Sequence, residues 1–506
     1  MRRDVARLRN RARESALLSR VGANAVASLV PSVTALALTP ALVDGLGPDL
    51  YGVWALVGTA SAFALTMDFG LAATMVRFAG LARGGQDLEA ARRLLWTMLA
   101  LVIVVATVVA STGAAWGPQI LHVLTLPTAA VAPARAALPF AGLVLAIPAC
   151  VGLFTAFLQG WHDYRFVAIS VTVTSAVWAV AVVAIRLGHS ISLRSVVLTF
   201  LAAQAVGCVM LAAAATRHVA ATSSRWMSRS ERREVFGFAR GMQVANLWAF
   251  VNLEADALIV AAFLPIRDVG YYAIGAAVAT GLRQLPILFL TPMYTHLANE
   301  SATLQDQALR DEAARVQSGW IRGVSSFAFA AIPVSYIGVL AWVGPSHSRS
   351  AAIAAVLVAG NAVNLGTGVL SSYVRVLGRP RLEARYGAIS TVVNLGLTFA
   401  LVVPVGALGV AIATASGQLV GSVSFVALAR AVPEPLPAFW REVPWRSVFV
   451  ATAVATVVCV ASYALSSSRP VLIPGVVVAL AAGLLLGRRI DLQRGVSQFQ
   501  SSQARP

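Results

Sequence analysis

The sequence predicts an all-α polytopic membrane protein of fourteen spans, built as two parallel six-helix repeats followed by two further helices. Three observations predict it. Apolar runs of about 20 residues, the length that crosses roughly 30 Å of hydrocarbon, recur from end to end of the chain. Two pairs of glycines share one offset: Gly52 with Gly270 (270 − 52 = 218) and Gly160 with Gly378 (378 − 160 = 218). The basic residues fall on alternate sides of successive spans.

The apolar runs come first because they decide the class. The chain is 58% hydrophobic and only 12% charged, with a mean hydropathy of +0.77, more apolar than a soluble globule requires. The runs lie at 21–43, 51–71, 94–116, 134–157, 166–186, 195–215, 238–263, 269–290, 319–343, 351–375, 386–404, 407–429, 447–466 and 470–487. In lipid each must be helical, since a helix alone satisfies its own backbone hydrogen bonds there.

The glycine offset then pairs the runs. Segment 134–158 matches 351–375 in register, and six spans fit each copy. Six is even, so both copies enter the membrane from one side and form two lobes around a central cleft, an arrangement suited to alternating access. The expected order is an arginine-rich cytoplasmic lead (1–20), an N-lobe (21–215), a cytoplasmic linker (216–237), a C-lobe (238–430), two unpartnered spans (431–487) and a cytoplasmic tail (488–506). Segments 82–93 and 300–318 occupy equivalent places and read as charged, helix-compatible connectors.

The net charge of +18 raises the question of nucleic acid, and its distribution answers it. All 39 basic residues are arginine. With a cytoplasmic N-terminus, 32 of them fall in inner segments and their borders, 6 in outer loops and their borders, and the last, Arg283, lies well inside a span. That bias obeys the positive-inside rule, so the charge sets topology and attracts anionic membrane lipid rather than nucleic acid. Cys150, Cys208 and Cys459 are mid-span with no metal or disulfide spacing. No histidine is mid-span, no phosphate-cradling glycine loop occurs, and no catalytic constellation emerges, so neither enzyme, cofactor nor metal is expected.

Charged and amide side chains inside spans are costly and face a cavity or one another. Arg283 lies mid-way along the eighth span, within reach of Glu254 and Asp256 in the seventh. It forms an intramembrane ion pair with one of them, or it meets a phosphate, which its planar fork suits. Asn252 and Asp256 share a helix face at i, i+4, with Gln243 and Asn246 continuing a polar seam, and Asn24 marks a similar seam on the first span. These seams line the cleft or bond neighbouring helices. Asp68 and Arg77, at the inner end of the second span, read as a local ion pair or gate latch. Asn361, Asn364, Asn394 and Gln418 offer amides that suit sugar hydroxyls.

The run Gly45-Leu46-Gly47-Pro48-Asp49-Leu50-Tyr51-Gly52-Val53-Trp54, with Asp68-Phe69-Gly70-Leu71 and Arg77, resembles the opening of the polysaccharide-exporter branch of the multidrug/oligosaccharidyl-lipid/polysaccharide superfamily. Asp256-Ala257-Leu258-Ile259-Val260, Asn394-Leu395-Gly396-Leu397 and Pro404-Val405-Gly406-Ala407-Leu408-Gly409 are similar to that family's second half. The resemblance covers about 20–430 and implies a flippase for undecaprenyl-linked oligosaccharide in the bacterial inner membrane. It implies membrane lipid and a polyprenyl-linked glycan as partners, with polysaccharide polymerase and glycosyltransferases as candidate protein partners. Two alternatives stay open. A cation-coupled exporter of small molecules in the same superfamily calls for an acidic, aromatic cavity with fewer arginines, whereas Asp256 and Glu254 are the candidate proton-linked groups of the flippase itself. A membrane glycosyltransferase, polymerase or ligase calls for a sizeable outer domain, and the outer loops here are short.

Overall fold

All regular structure among the described residues is helical, as segments this apolar demand. The computed structural model describes residues 2–66, 71–123, 126–188, 191–219, 226–239, 255–301, 304–432 and 434–465. Among the described residues eleven stretches are long and apolar enough to cross a membrane, and the chain is a multi-pass membrane protein. Ten of them coincide with the expected spans three to six and eight to thirteen; the other, Leu29–Thr59, runs through the expected first span into the second. The expected fourteenth span lies outside the described residues. The expected seventh is described only at 238–239 and over Ala255–Phe263.

The chain divides into two compact units, Met1–Gly270 and Tyr271–Pro506. In the first, α1 runs Arg2–Thr66 and is broken at Gly47 (φ 73°, ψ 168°). Two residues force that break. Pro48 lacks the N–H needed to continue the helix and disfavours helical backbone in the residue before it, while glycine accepts the left-handed φ. Residues 2–20 continue the helix of the first span, with no break setting off a separate lead. There follow α2 (Leu71–Gly84), α3 (Leu88–Val123), α4 (Thr128–Ala137), α5 (Ala141–Gly160), α6 (Tyr164–Leu187) and α7 (Leu193–Thr216). Next come α8 (229–239) and α9 (Ala255–Phe263).

The first unit extends past the expected 216–237 linker because α8 is held to it. Met227 and Val235 join a core with Met75, Met98, Phe157 and Leu211. Glu231 accepts from Arg93 Nη2 at 2.9 Å and from the Ser228 N–H at 2.6 Å. Partial burial pushes the Glu231 carboxyl up, but the bonds from Ser228 and Arg93 outweigh that and hold it below its ordinary value. The glycines that define the offset meet here. A Cβ on Gly52 would sit 2.1 Å from the Ile266 carbonyl oxygen, and one on Gly270 would sit 3.1 Å from that of Pro48. Only glycine permits this crossing of two backbones.

The second unit is carried by α10 (Ile266–Glu300), α11 (Asp306–Val343), α12 (Ser348–Leu365), α13 (Gly368–Val376), α14 (Pro380–Val405), α15 (Ala407–Ala429) and α16 (Trp445–Leu465). Lipid is as apolar as leucine, so close packing and buried hydrogen bonds hold such helices together. On α15, Cβ atoms added to Gly417 and Gly421 would fall within 2.8 Å of Ser390 on α14, which allows the two helices to press together. Helix boundaries recur between the units at the glycine offset. The starts of α3 and α11 differ by 306 − 88 = 218, and the ends of α6 and α14 by 405 − 187 = 218.

Candidate functional site

A cavity of about 340 Å³ opens within the second unit between α10, α12, α13 and α14. The residues at i, i+4 and i+7 on α10 set one wall: Arg283, Ile287 and Leu290 share a helix face. Asn364 projects from the last turn of α12, and Tyr386 stands two turns into α14. Arg283 donates from Nη2 to Asn364 Oδ1 at 3.2 Å, and Asn364 Nδ2 donates to the Tyr386 hydroxyl at 2.6 Å. The Tyr386 hydroxyl also has the Thr367 side chain as a hydrogen-bond neighbour. Arg283 Nε is buried with no hydrogen-bond partner, an arrangement that costs about 1–3 kcal/mol until an acceptor arrives.

The other charged pair at the cavity is closed. Arg375 clasps Glu383 with two hydrogen bonds, Nε to Oε2 at 2.6 Å and Nη2 to Oε1, and Ser371 Oγ donates to Oε1 at 2.7 Å. Both carboxylate oxygens are therefore engaged. Two guanidiniums against one carboxylate leave one net positive charge on the lining, carried by Arg283. The cavity offers spare donors, and its carboxylate and amide oxygens are taken. It suits an anion rich in acceptor oxygens.

Of the residues expected from sequence, the structure brings Arg283 and Asn364 together. Asn361, one turn before Asn364, stands apart from the lining: it is 8% exposed and ties three helices. Its Nδ2 donates to the Ala279 carbonyl on α10 at 3.4 Å, and its Oδ1 accepts from Gln418 on α15 at 3.2 Å. Asn394 Oδ1 accepts from Thr398 and Thr414, joining α14 to α15. Arg77 is exposed and lies over the Phe238 ring at 4.5 Å, a cation–π contact between α2 and α8. Asp256 is buried in the first turn of α9, 3% exposed. Gln243, Asn246, Asn252, Glu254 and Asp68 lie outside the described residues, as does the side chain of Asn24.

Sequence reasoning missed Tyr386, Ser371, Arg375 and Glu383. Arg375 counted only toward topology and Glu383 not at all, although the two flank the turn at Gly378 (φ 70°), which folds them back on each other. That flanking pattern was the available signal.

Comparison with solved structures places the fold. The lipid II flippase MurJ in an inward closed conformation matches with a TM-score of 0.72 at 11% identity, covering 93% of this chain and 99% of that one. An inward-facing multidrug resistance MATE family transporter of the MOP superfamily matches with a TM-score of 0.64 at 14% identity, over 81% and 99% of the two chains. A MOP superfamily transporter from Pyrococcus furiosus, described as having a binding pocket of reverse polarity, matches with a TM-score of 0.56 at 15% identity, over 82% and 94%. At these identities the likeness is one of fold. A search of curated proteins finds no match. A family model described as polysaccharide biosynthesis protein matches residues 46–343, more than half of the chain. The chain belongs to that polysaccharide biosynthesis protein family.

Proposed function

We infer that this protein is a flippase that moves a polyprenyl-(pyro)phosphate-linked oligosaccharide across the bacterial inner membrane during cell-surface polysaccharide biosynthesis. One observation carries the reading: the cavity at Arg283 has spare donors and one uncompensated positive charge inside a membrane-spanning unit. A phosphate seated there accepts from Arg283 Nε. The guanidinium offsets part of the cost of taking that phosphate out of water. Charge-assisted bonds of this kind contribute about 1.5–3 kcal/mol each. The family match and the shared fold of MurJ and MATE proteins support a transporter that works by alternating access. In this reading two six-helix lobes flank a central cleft, and both termini are cytoplasmic, as the arginine bias indicates. Asp256 and Glu254 are the candidate groups for ion coupling.

A cation-coupled exporter would present free acid to its cargo. The one carboxylate lining the cavity, Glu383, is already bound by Arg375 and Ser371. The test is to delete the gene, extract the polyprenyl-linked lipids and assay their leaflet. Accumulation of unpolymerised sugar-bearing intermediates on the cytoplasmic side, reversed by plasmid-borne protein, is the expected result. Normal lipid pools combined with sensitivity to cationic dyes would overturn the flippase reading in favour of small-molecule export.

A further inference from the structure

A second concavity of about 580 Å³ lies beside the polar cavity, between α10 and α11. Its chemistry is the opposite: Leu285, Phe289 and Met293 of α10 face Trp320 and Phe327 of α11. Its floor is open because α11 places Gly319 and Gly323 there, one turn apart. A Cβ at either position would meet nothing within 4 Å, so these glycines leave space beside the groove. Phe289 is 64% exposed, which leaves the groove open to the surroundings of a membrane-spanning helix pair.

The two concavities are continuous in their walls. Pro286 lines the groove and Leu290 lines the cavity, and residues four apart are neighbours on a helix surface, about 40° apart around the axis. Trp320 forms the other link, since its Nε1 donates at 2.9 Å to the carbonyl of Leu365, itself a cavity residue. Along α10 the groove begins two residues past Arg283 and runs for about 12 Å at 1.5 Å per residue.

We propose that the groove between α10 and α11 is a binding site for the hydrocarbon chain of the ligand whose anionic head occupies the Arg283 cavity. An amphipathic lipid phosphate needs both surfaces side by side, and α10 presents them on adjacent faces. The proposal rests on the anion reading for the identity of the head, and on the groove alone for the chain. A bare soluble anion would use the cavity and leave the groove empty.

The test uses the full-length protein in detergent and the fluorescence of Trp320, taken as the difference between wild type and Trp320→Phe. The probe is an alkyl phosphate with bromine, a contact quencher, on its terminal carbon. The expected result is saturable quenching of Trp320, competed by the unbrominated alkyl phosphate. Gly323→Leu fills the groove and weakens this binding about tenfold or more. Quenching that rises linearly with probe and resists competition marks ordinary detergent-like solvation and overturns the proposal; this wild-type arm decides even where Gly323→Leu fails to fold. The matching bromoalkanol and Arg283→Gln separate the two readings. Saturable quenching by the phosphate probe that Arg283→Gln leaves unchanged keeps the groove and removes the phosphate contact. Weakening of the phosphate probe alone, with the bromoalkanol unaffected, supports both.

Discussion

In the second unit Arg283, Asn364, Arg375 and Tyr386 surround a cavity; 218 positions earlier the chain carries Leu65, Ala146, Phe157 and Ala168. The contrast continues at the helix crossings. Gln418 clasps Asn361 in the second unit, whereas the first has Phe200 and Leu143 at those positions. Phe200 packs with Trp54 and Trp178, ring centroids 5.5 and 5.7 Å away. Positions at one sequence offset thus carry a polar, arginine-bearing cavity lining in one unit and apolar or aromatic side chains in the other. The framework does not dictate chemistry; the side chains grafted on it do.

Several substitutions would break or sharpen this contrast. The largest effect is expected from moving the charge across it. Leu65→Arg introduces a guanidinium into the expected second span, 218 positions before Arg283, and the positions 218 before Asn364 and Tyr386 are both alanine. Such a charge costs about 3 kcal/mol at a span centre, and the variant should show reduced membrane insertion by glycosylation mapping. Next, Asn364→Ala leaves the Arg283 guanidinium without its acceptor and should cost about 1–3 kcal/mol in thermal unfolding of the purified protein, together with weaker substrate binding. Gln418→Leu gives the second unit an apolar residue where the first has Phe200. It removes one interhelical bond away from the cavity, so it should cost about 0.6 kcal/mol of stability and leave transport intact.

The smallest effect belongs to the first unit's own polar clamp. Glu231 has a lowered carboxyl pKa, so its stabilisation is present above the ordinary glutamate value of about 4.3 and is lost as pH falls through the depressed folded value. Glu231→Gln should therefore loosen α8 at neutral pH, read as faster amide exchange over 229–239, and should flatten the acid-side change seen in the wild type.

Much of the architecture was legible because lipid imposes few options: an apolar run of sufficient length must be helical, and charge bias orients it. Gly52 and Gly270 carried more than a repeat length, since their conspicuous spacing marks a backbone crossing that no other residue allows. Arg283 stood out because it lies mid-way along an expected span, whereas the other arginines within spans sit near span ends. Tyr386, Arg375 and Glu383 did not, because an aromatic at a span edge and charges beside a turn are ordinary in any membrane protein. Only the fold of α13 back onto α14 gives them a common site. Asn361 and Asn364 looked equivalent in sequence, yet being three residues apart turns one toward α15 and the other toward the cavity.

The most direct measurement is leaflet exchange in proteoliposomes. Wild-type protein and Arg283→Gln, reconstituted in equal amounts, would be given a fluorescent polyprenyl diphosphate oligosaccharide whose outer-leaflet pool is bleached by an impermeant reductant. The account predicts that wild type makes the inner pool accessible and that Arg283→Gln slows this about tenfold or more, the loss of one charge-assisted contact. Exchange at the wild-type rate by a correctly inserted Arg283→Gln would contradict the central claim that this cavity holds the lipid's phosphate.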